Sequence, residues 1–245
     1  LSGIAVATML AKHLAHRSRR PNHTYRFLFI PATIGAITWL ARNEAGARRA
    51  IGGVVLSGVG DPGPLTYKRS RAGTSAIDRV FARVLGRGSE GHRIEDFSPY
   101  GYDERQFNSP GINLPVGCLM RTPFGRYPEY HTSADNLDLV TGPALAGALA
   151  ACTAALAEMD LVQTFINLAP NCEPQLGRRG LYDDLGGDNE RKSAQMALLW
   201  LLSYSDGQHS TLDISEKSGL SLEVLDRAAA RLEAAKLLEP ARIQD

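Results

Sequence analysis

Apolar residues recur at helical spacing at Ile4, Ala7, Leu10, Ala11 and Leu14, which predicts a helix over 3–16 with one apolar face. A basic, polar turn follows at Arg17–His23. Tyr25–Pro31 (YRFLFIP) is short and aromatic-rich, the composition of a strand. Residues 33–44 read as a helix that ends near Asn43 and Gly46. Ile51–Gly60 is a β-rich run stopped by the turn Gly60-Asp61-Pro62-Gly63. Further strands are predicted at Leu65–Arg69, His92–Phe97 and Ile112–Met120. Further helices are predicted over 74–85, capped by Thr74 or Ser75, and over the alanine-rich stretch 142–158. Polar loops fill 98–110 and 121–138.

Strands and helices thus alternate through residue 158, which predicts an α/β layered domain with a mainly parallel sheet. In such sheets ligands sit beyond the carboxyl ends of the strands, so loops 60–64, 98–110 and 121–138 are the places to look for chemistry. Residues 159–190, with Pro170, Pro174, Gly177, Gly180 and Gly186-Gly187, read as a connector. After it the pattern is purely helical, over 191–204, 211–218 and 221–237. The junction Ser218-Gly219-Leu220-Ser221 has the form of a helix-turn-helix. Residues 191–245 are therefore expected to form a second, small domain, all-helical or winged-helix.

Composition narrows the function classes. Hydrophobic residues at 44% and charged residues at 22% make a globular chain. A net charge of +1 gives the whole chain no bias toward nucleic acid or an anionic membrane. The helix-turn-helix adds none, since Arg227, Arg231 and Lys236 are outnumbered by Glu223, Asp226, Glu233 and Glu239. A docking role, with a protein partner or a second copy of the chain, is expected there rather than nucleic-acid binding. Cys118, Cys152 and Cys172 are odd in number, far apart and outside any CxxC pair, which argues for a reducing, cytoplasmic setting. No signal peptide is visible, and no apolar run reads as long enough to span a bilayer. Leu1 opens directly on an amphipathic helix with no strand before it, so the chain is expected to be a fragment lacking its N-terminal portion.

Several residues are candidates for chemistry. His131 lies in the polar loop Tyr130-His131-Thr132-Ser133-Ala134-Asp135-Asn136, behind a strand and before a helix, where a metal ligand or a base is well placed. The alternative is a surface histidine bonded to Asp135. Asp61 is a second candidate ligand, or simply the cap of its turn. Asp103 and Glu104 in GYDERQF are candidate catalytic carboxylates, or a solvated cluster neutralised by Arg105.

The stretches FLFIPATIGAITWL, GVGDPGPLTYKRSR, GYDERQFNSPGINLP and RYPEYHTSADNLD resemble an aminopeptidase-like family fused to a winged helix and related to the bacterial zinc aminopeptidases. The tail stretches EPQLGRRGLY and LLWLLSYSDGQHSTLDISEKSGL carry the same resemblance, which covers nearly the whole chain. The family is often found near surface-polysaccharide genes. The resemblance implies that residues 1–158 are the C-terminal part of a zinc-exopeptidase-like domain. His131 then matches the last metal-binding histidine and Asp61 the ligand aspartate after the middle strand. Asp103 falls where a polar active-site aspartate precedes the substrate pocket, with Glu104, Arg105 and Tyr130 beside it. In the relatives the first ligand histidine and the bridging aspartate precede a Ser-Gly helix start, here Ser2-Gly3, and would fall before Leu1. A Glu-Glu pair, general base and ligand, follows the strand corresponding to Tyr25–Pro31. Here those positions are Ala32 and Thr33, and neither side chain takes a proton from water at neutral pH.

Two expectations follow. One is a zinc-dependent hydrolase of peptide or amide bonds, incomplete and inactive in this chain, with zinc in the complete protein. The other is a catalytically inactive scaffold or binding protein of the same fold, tied to surface-polysaccharide biosynthesis.

Overall fold

β4 (Val116–Met120, VGCLM) is buried at every position, which is why it reads as a continuous apolar run rather than an alternation. It is an inner strand of a four-stranded sheet ordered β1-β4-β2-β3, with β1 at Gly53–Leu56, β2 at Thr66–Lys68 and β3 at Arg93–Glu95. β1 runs parallel to β4 and β2 parallel to β3, while β2 and β4 are antiparallel. The sheet is mainly parallel, as the alternation of elements predicts. The computed structural model describes residues 1–18, 20–88, 91–181 and 188–241, without the side chains of 188–191.

Two compact units make up the chain, Leu1–Met159 and Asp160–Asp245. In the first, α1 (Ser2–Ala15) and α3 (Ala76–Gly88) pack against α5 (Gly142–Met159). α2 (Ile34–Ala47) packs on the short α4 (Asp103–Phe107). α1 reaches the sheet through Gly3, where a Cβ would lie 2.1 Å from the Leu56 carbonyl oxygen, so only glycine permits the approach. Tyr67 of β2 stacks on Phe81 of α3 with ring centroids 4.5 Å apart, and both rings are fully buried.

Three expectations change on the fold. Tyr25–Pro31 forms no strand. Its Leu28 and Ile30 pack on the apolar cluster around Ala36, Leu40 and Phe107, and the Tyr25 hydroxyl donates to the Leu156 carbonyl, so side chains rather than a backbone ladder hold it. α5 is by length and composition apolar enough to cross a membrane, contrary to the reading that no such run exists. It is a core helix here, with Ala144, Ala148, Ala151, Cys152, Ala155 and Met159 buried. Third, residues 159–190 are not a mere connector. β5 (Thr164–Asn167) is the central strand of the second unit's antiparallel sheet, ordered β6-β5-β7 with β6 at Asp206–Ser210 and β7 at Leu238–Pro240. Phe165, Leu176 and Leu181 join that unit's core against Leu198 and Leu201 of α6 (Asp188–Tyr204) and Leu225 of α8 (Leu222–Ala234). Residues 182–187 of the expected connector and 242–245 of the expected last domain lie outside the described residues.

The helix-turn-helix is built as the sequence predicts. Gly219 holds φ 73° between α7 (Thr211–Ser218) and α8, a left-handed conformation that costs glycine little. With the three-stranded sheet this makes a winged helix.

Candidate functional site

The carboxyl ends of the parallel strands β1 and β4 deliver the loops that hold Asp61 and His131. Asp61, 5% exposed, is gripped from the second loop. Its Oδ1 accepts hydrogen bonds from Gly63 N (2.9 Å) and Thr122 Oγ1 (2.6 Å), and Thr122 N is shared between the two carboxylate oxygens at 3.3 and 3.2 Å. Arg121 ties the same parts together, donating to the carbonyls of Gly63 (2.5 Å) and Ala144 (2.9 Å). Burial lowers the pKa of this guanidinium, and the nearby Asp61 charge opposes that shift. Asp61 therefore caps its turn, mainly through Oδ1, while Oδ2 takes the long bond from Thr122 N.

His131 is exposed and sits at φ 59°, an uncommon conformation for a residue with a Cβ. Its ring stacks on Tyr130 at 4.1 Å. Its Nε2 lies 3.2 Å from the Tyr102 hydroxyl, which also hydrogen-bonds the Tyr130 hydroxyl. The histidine's partner is thus Tyr102 and not Asp135. Phe124 meets Tyr102 edge-on at 5.2 Å, and Tyr127 meets Tyr130 edge-on at 5.5 Å. Burial, then the Tyr102 contact, pushes the Tyr130 phenol well above its ordinary pKa. Tyr127 is raised as well, by burial first and then by Asp135 and Asp61.

Asp103, half-buried at the start of α4, turns toward α2. Its Oδ1 accepts from Thr33 N at 2.6 Å. Thr33 holds φ 63°, strained for a β-branched residue. Burial raises the Asp103 pKa, the Thr33 hydrogen bond opposes the rise, and Glu104 adds to it. A carboxylate therefore stands against the backbone at Ala32-Thr33, where the side chains provide none.

Glu104, expected as a catalytic carboxylate, is buried in this structure. It is 0% exposed, and its Oε1 lies 2.6 Å from the ammonium of Lys68. Water and substrate cannot reach it. Arg105 is exposed, and Lys68 supplies the neutralising cation expected of it. Sequence reasoning named Tyr130 but missed Lys68, Tyr102, Thr122 and the rings of Phe124 and Tyr127 around it. Tyr102 stood inside GYDERQF, but a tyrosine in a polar loop carries no signal until its partner is known.

Among the described residues no three histidine, cysteine, aspartate or glutamate side chains gather as a metal group. Asp61 and His131 are suitable zinc donors in kind, but zinc sites take three or four protein ligands. The donor set of this chain alone does not fit a zinc centre.

Residues 1–161 match the family described as Domain of unknown function (DUF4910), and residues 163–240 match the winged helix-turn-helix family. The chain belongs to the DUF4910 family. A relative from Clostridium acetobutylicum, named for polysaccharide biosynthesis and for an aminopeptidase-like domain, is 43% identical over 239 residues. The alignment covers 98% of this chain and 54% of that protein. A crystal structure from the same organism, provisionally named a peptidase, superposes with a TM-score of 0.74 at 41% identity, over 98% of this chain and 53% of that one. A zinc aminopeptidase from Bacillus subtilis superposes with a TM-score of 0.55 at 19% identity, over 64% of this chain and 41% of that one, which shows a shared fold. The chain spans about half the length of the relatives it matches.

Proposed function

We propose that this DUF4910 chain forms the substrate-side part of an aminopeptidase-like zinc hydrolase of peptide or amide bonds, with turnover belonging to a protein of the relatives' full length. The observation that carries the reading is the hydrogen-bonded group Tyr130, Tyr102 and His131, brought together from two loops. Asp61 and His131 offer two zinc donors, and donors from outside this chain must complete the centre. Asp103 takes the proton-accepting role that Ala32 cannot fill. Tyr130 and Tyr102 present hydroxyls, and Arg105 a cation, to a small peptide or amide ligand. The winged helix docks a protein partner or a second copy, and the unpaired thiols suit a cytoplasmic setting. The test is zinc content in a protein of the relatives' length. His131→Ala should remove bound zinc, and unchanged zinc would sink the assignment.

A second reading has its own support. Ala32 stands where the resemblance to the zinc aminopeptidases implies a glutamate, and Glu104 is buried against Lys68. Both suit a scaffold or binding protein without catalysis, acting in polysaccharide biosynthesis as the name of the Clostridium relative suggests. Chelator-sensitive turnover of aminoacyl arylamides by the longer protein excludes this second reading.

A further inference from the structure

Lys68 and Glu104 are 3% and 0% exposed, an ion pair taken almost wholly out of water. Burying two charges is costly, and an apolar pair of similar volume commonly serves stability as well or better. Stability of the sheet therefore does not explain the pair. What surrounds the ammonium does. Lys68 Nζ donates to the carbonyl oxygens of Tyr100 (2.7 Å) and Ser98 (3.2 Å), and its contact with Glu104 Oε1 at 2.6 Å pairs the charges off the ideal hydrogen-bond angle. Glu104 Oε2 in turn accepts from Tyr102 N at 3.2 Å. The segment 98–104 is thus wrapped around one cation through two carbonyls, one carboxylate and, at one remove, one amide.

Gly101 completes the wrap. A Cβ there would lie 1.8 Å from Glu104 Oε1 and 3.0 Å from Lys68 Nζ, so the turn closes over the pair only because the residue is glycine. Asn108 anchors the far end of α4, donating through Nδ2 to the carbonyls of Glu104 (2.6 Å) and Val116 (2.7 Å). The two residues flanked by these restraints are the ones that reach the candidate site. Tyr102 points its hydroxyl at His131 Nε2, and Asp103 places Oδ1 on Thr33 N.

We infer that Lys68 is a positioning residue: its buried pairing with Glu104 sets the path of segment 98–104 and so aims Tyr102 at His131. The inference concerns the geometry of the site proposed above and stands whether or not that site hydrolyses anything. A buried charge pair constrains direction in a way an apolar contact does not, because each carbonyl must meet the ammonium at hydrogen-bonding distance.

Three forms of the chain test it: wild type, Lys68→Met, and Lys68→Met with Glu104→Met. Two quantities are read, the thermal midpoint and the nuclear Overhauser contact between the Tyr102 and His131 rings. Lys68→Met leaves a buried carboxylate unpaired, so its midpoint should fall and the Tyr102–His131 contact should be lost. The double variant should recover most of the midpoint and still lack the contact. If it recovers both, the pair is merely structural and the inference is overturned. A single variant that keeps the contact overturns it too. So does a double variant that fails to fold, since the pair would then hold the sheet rather than the loop. Neither readout requires turnover or bound zinc, so failure of the hydrolase reading leaves this result intact.

Discussion

Asp78 shows how much one side chain carries when donors converge on it. It is 1% exposed, and Tyr67 Oη (3.0 Å), Ser70 N and Oγ (2.7 and 2.6 Å) and Ser75 N and Oγ (3.2 and 2.5 Å) all donate to it. It joins β2, the following turn and the start of α3. Asp78→Ala leaves these donors buried without an acceptor, and hydrogen bonds to a charged group are worth about 1.5–3 kcal/mol each. The first unit should lose on the order of 3 kcal/mol or more, read from urea unfolding, and a loss under about 1 kcal/mol would refute the account. Asp103 works in the opposite direction. Its folded pKa is raised, so the folded state holds its proton more tightly than the unfolded one. Its contribution to stability is complete below the unfolded value near about 4 and is lost as pH rises through the folded value. Asp103→Asn keeps an oxygen for Thr33 N and removes that slope, so wild type and variant should diverge in stability from about pH 4 upward, to the variant's advantage. Parallel curves across that range would contradict the raised pKa. At this scale the sequence shows which residues are chemically capable, such as Asp61 in its turn and His131 in its polar loop. It does not show which are already committed. Glu104 looked like a free carboxylate because Lys68, its partner, comes from a strand in another part of the chain.

Secondary structure was legible wherever local chemistry decides it. The helices at 2–15, 211–218 and 222–234 follow their apolar spacing, and Ser210 with Asp213 forms a reciprocal capping box at α7, Asp213 Oδ2 accepting from Ser210 N at 2.7 Å. Ser210→Ala should therefore cost about 1 kcal/mol, measured on thermal unfolding of the second unit. A change of a few tenths would mean that the cap is carried by Asp213 alone. Strands were less legible, since a ladder depends on a partner elsewhere. Tyr25–Pro31 has strand composition but no ladder, and Thr164–Asn167 sat inside an apparent connector because TFIN is too short to show alternation. Between elements the decisive contact is at α1. Gly3→Ala forces a Cβ against the Leu56 carbonyl, and overpacking of that kind costs about 1–3 kcal/mol. The loss should appear in the first unit's melting transition, and an unchanged midpoint would mean that α1 does not seat on β1 as described.

For the whole molecule, the order of elements was enough to predict an α/β sheet followed by a small helix-turn-helix domain, while its strands were not read and the winged helix rested on the resemblance. The catalytic state is a different kind of question, because it depends on how many donors meet at one point. Hydrolysis through zinc needs about three protein ligands with a position left open. On the reading proposed above this chain would supply Asp61 and His131, and among the described residues no group of three donors gathers. It also needs a base within reach of the attacking water, worth about 10²–10⁴-fold in rate. Asp103 stands at Thr33, and in the proposed role of base it would have no activated water to work on without a completed metal centre. The chain of 245 residues should therefore show no aminopeptidase turnover, and Ala32→Glu should not change that, because the added carboxylate supplies one group where two functions are lacking. In a protein of the relatives' length the same substitution should raise turnover if zinc is bound, and Asp103→Asn should lower it by about 10²-fold or more. Aminoacyl-arylamide hydrolysis, with and without chelator, measures all of these. Zinc-dependent turnover by the unmodified chain alone would show that Asp61 and His131 find a third donor that its folded structure does not bring together.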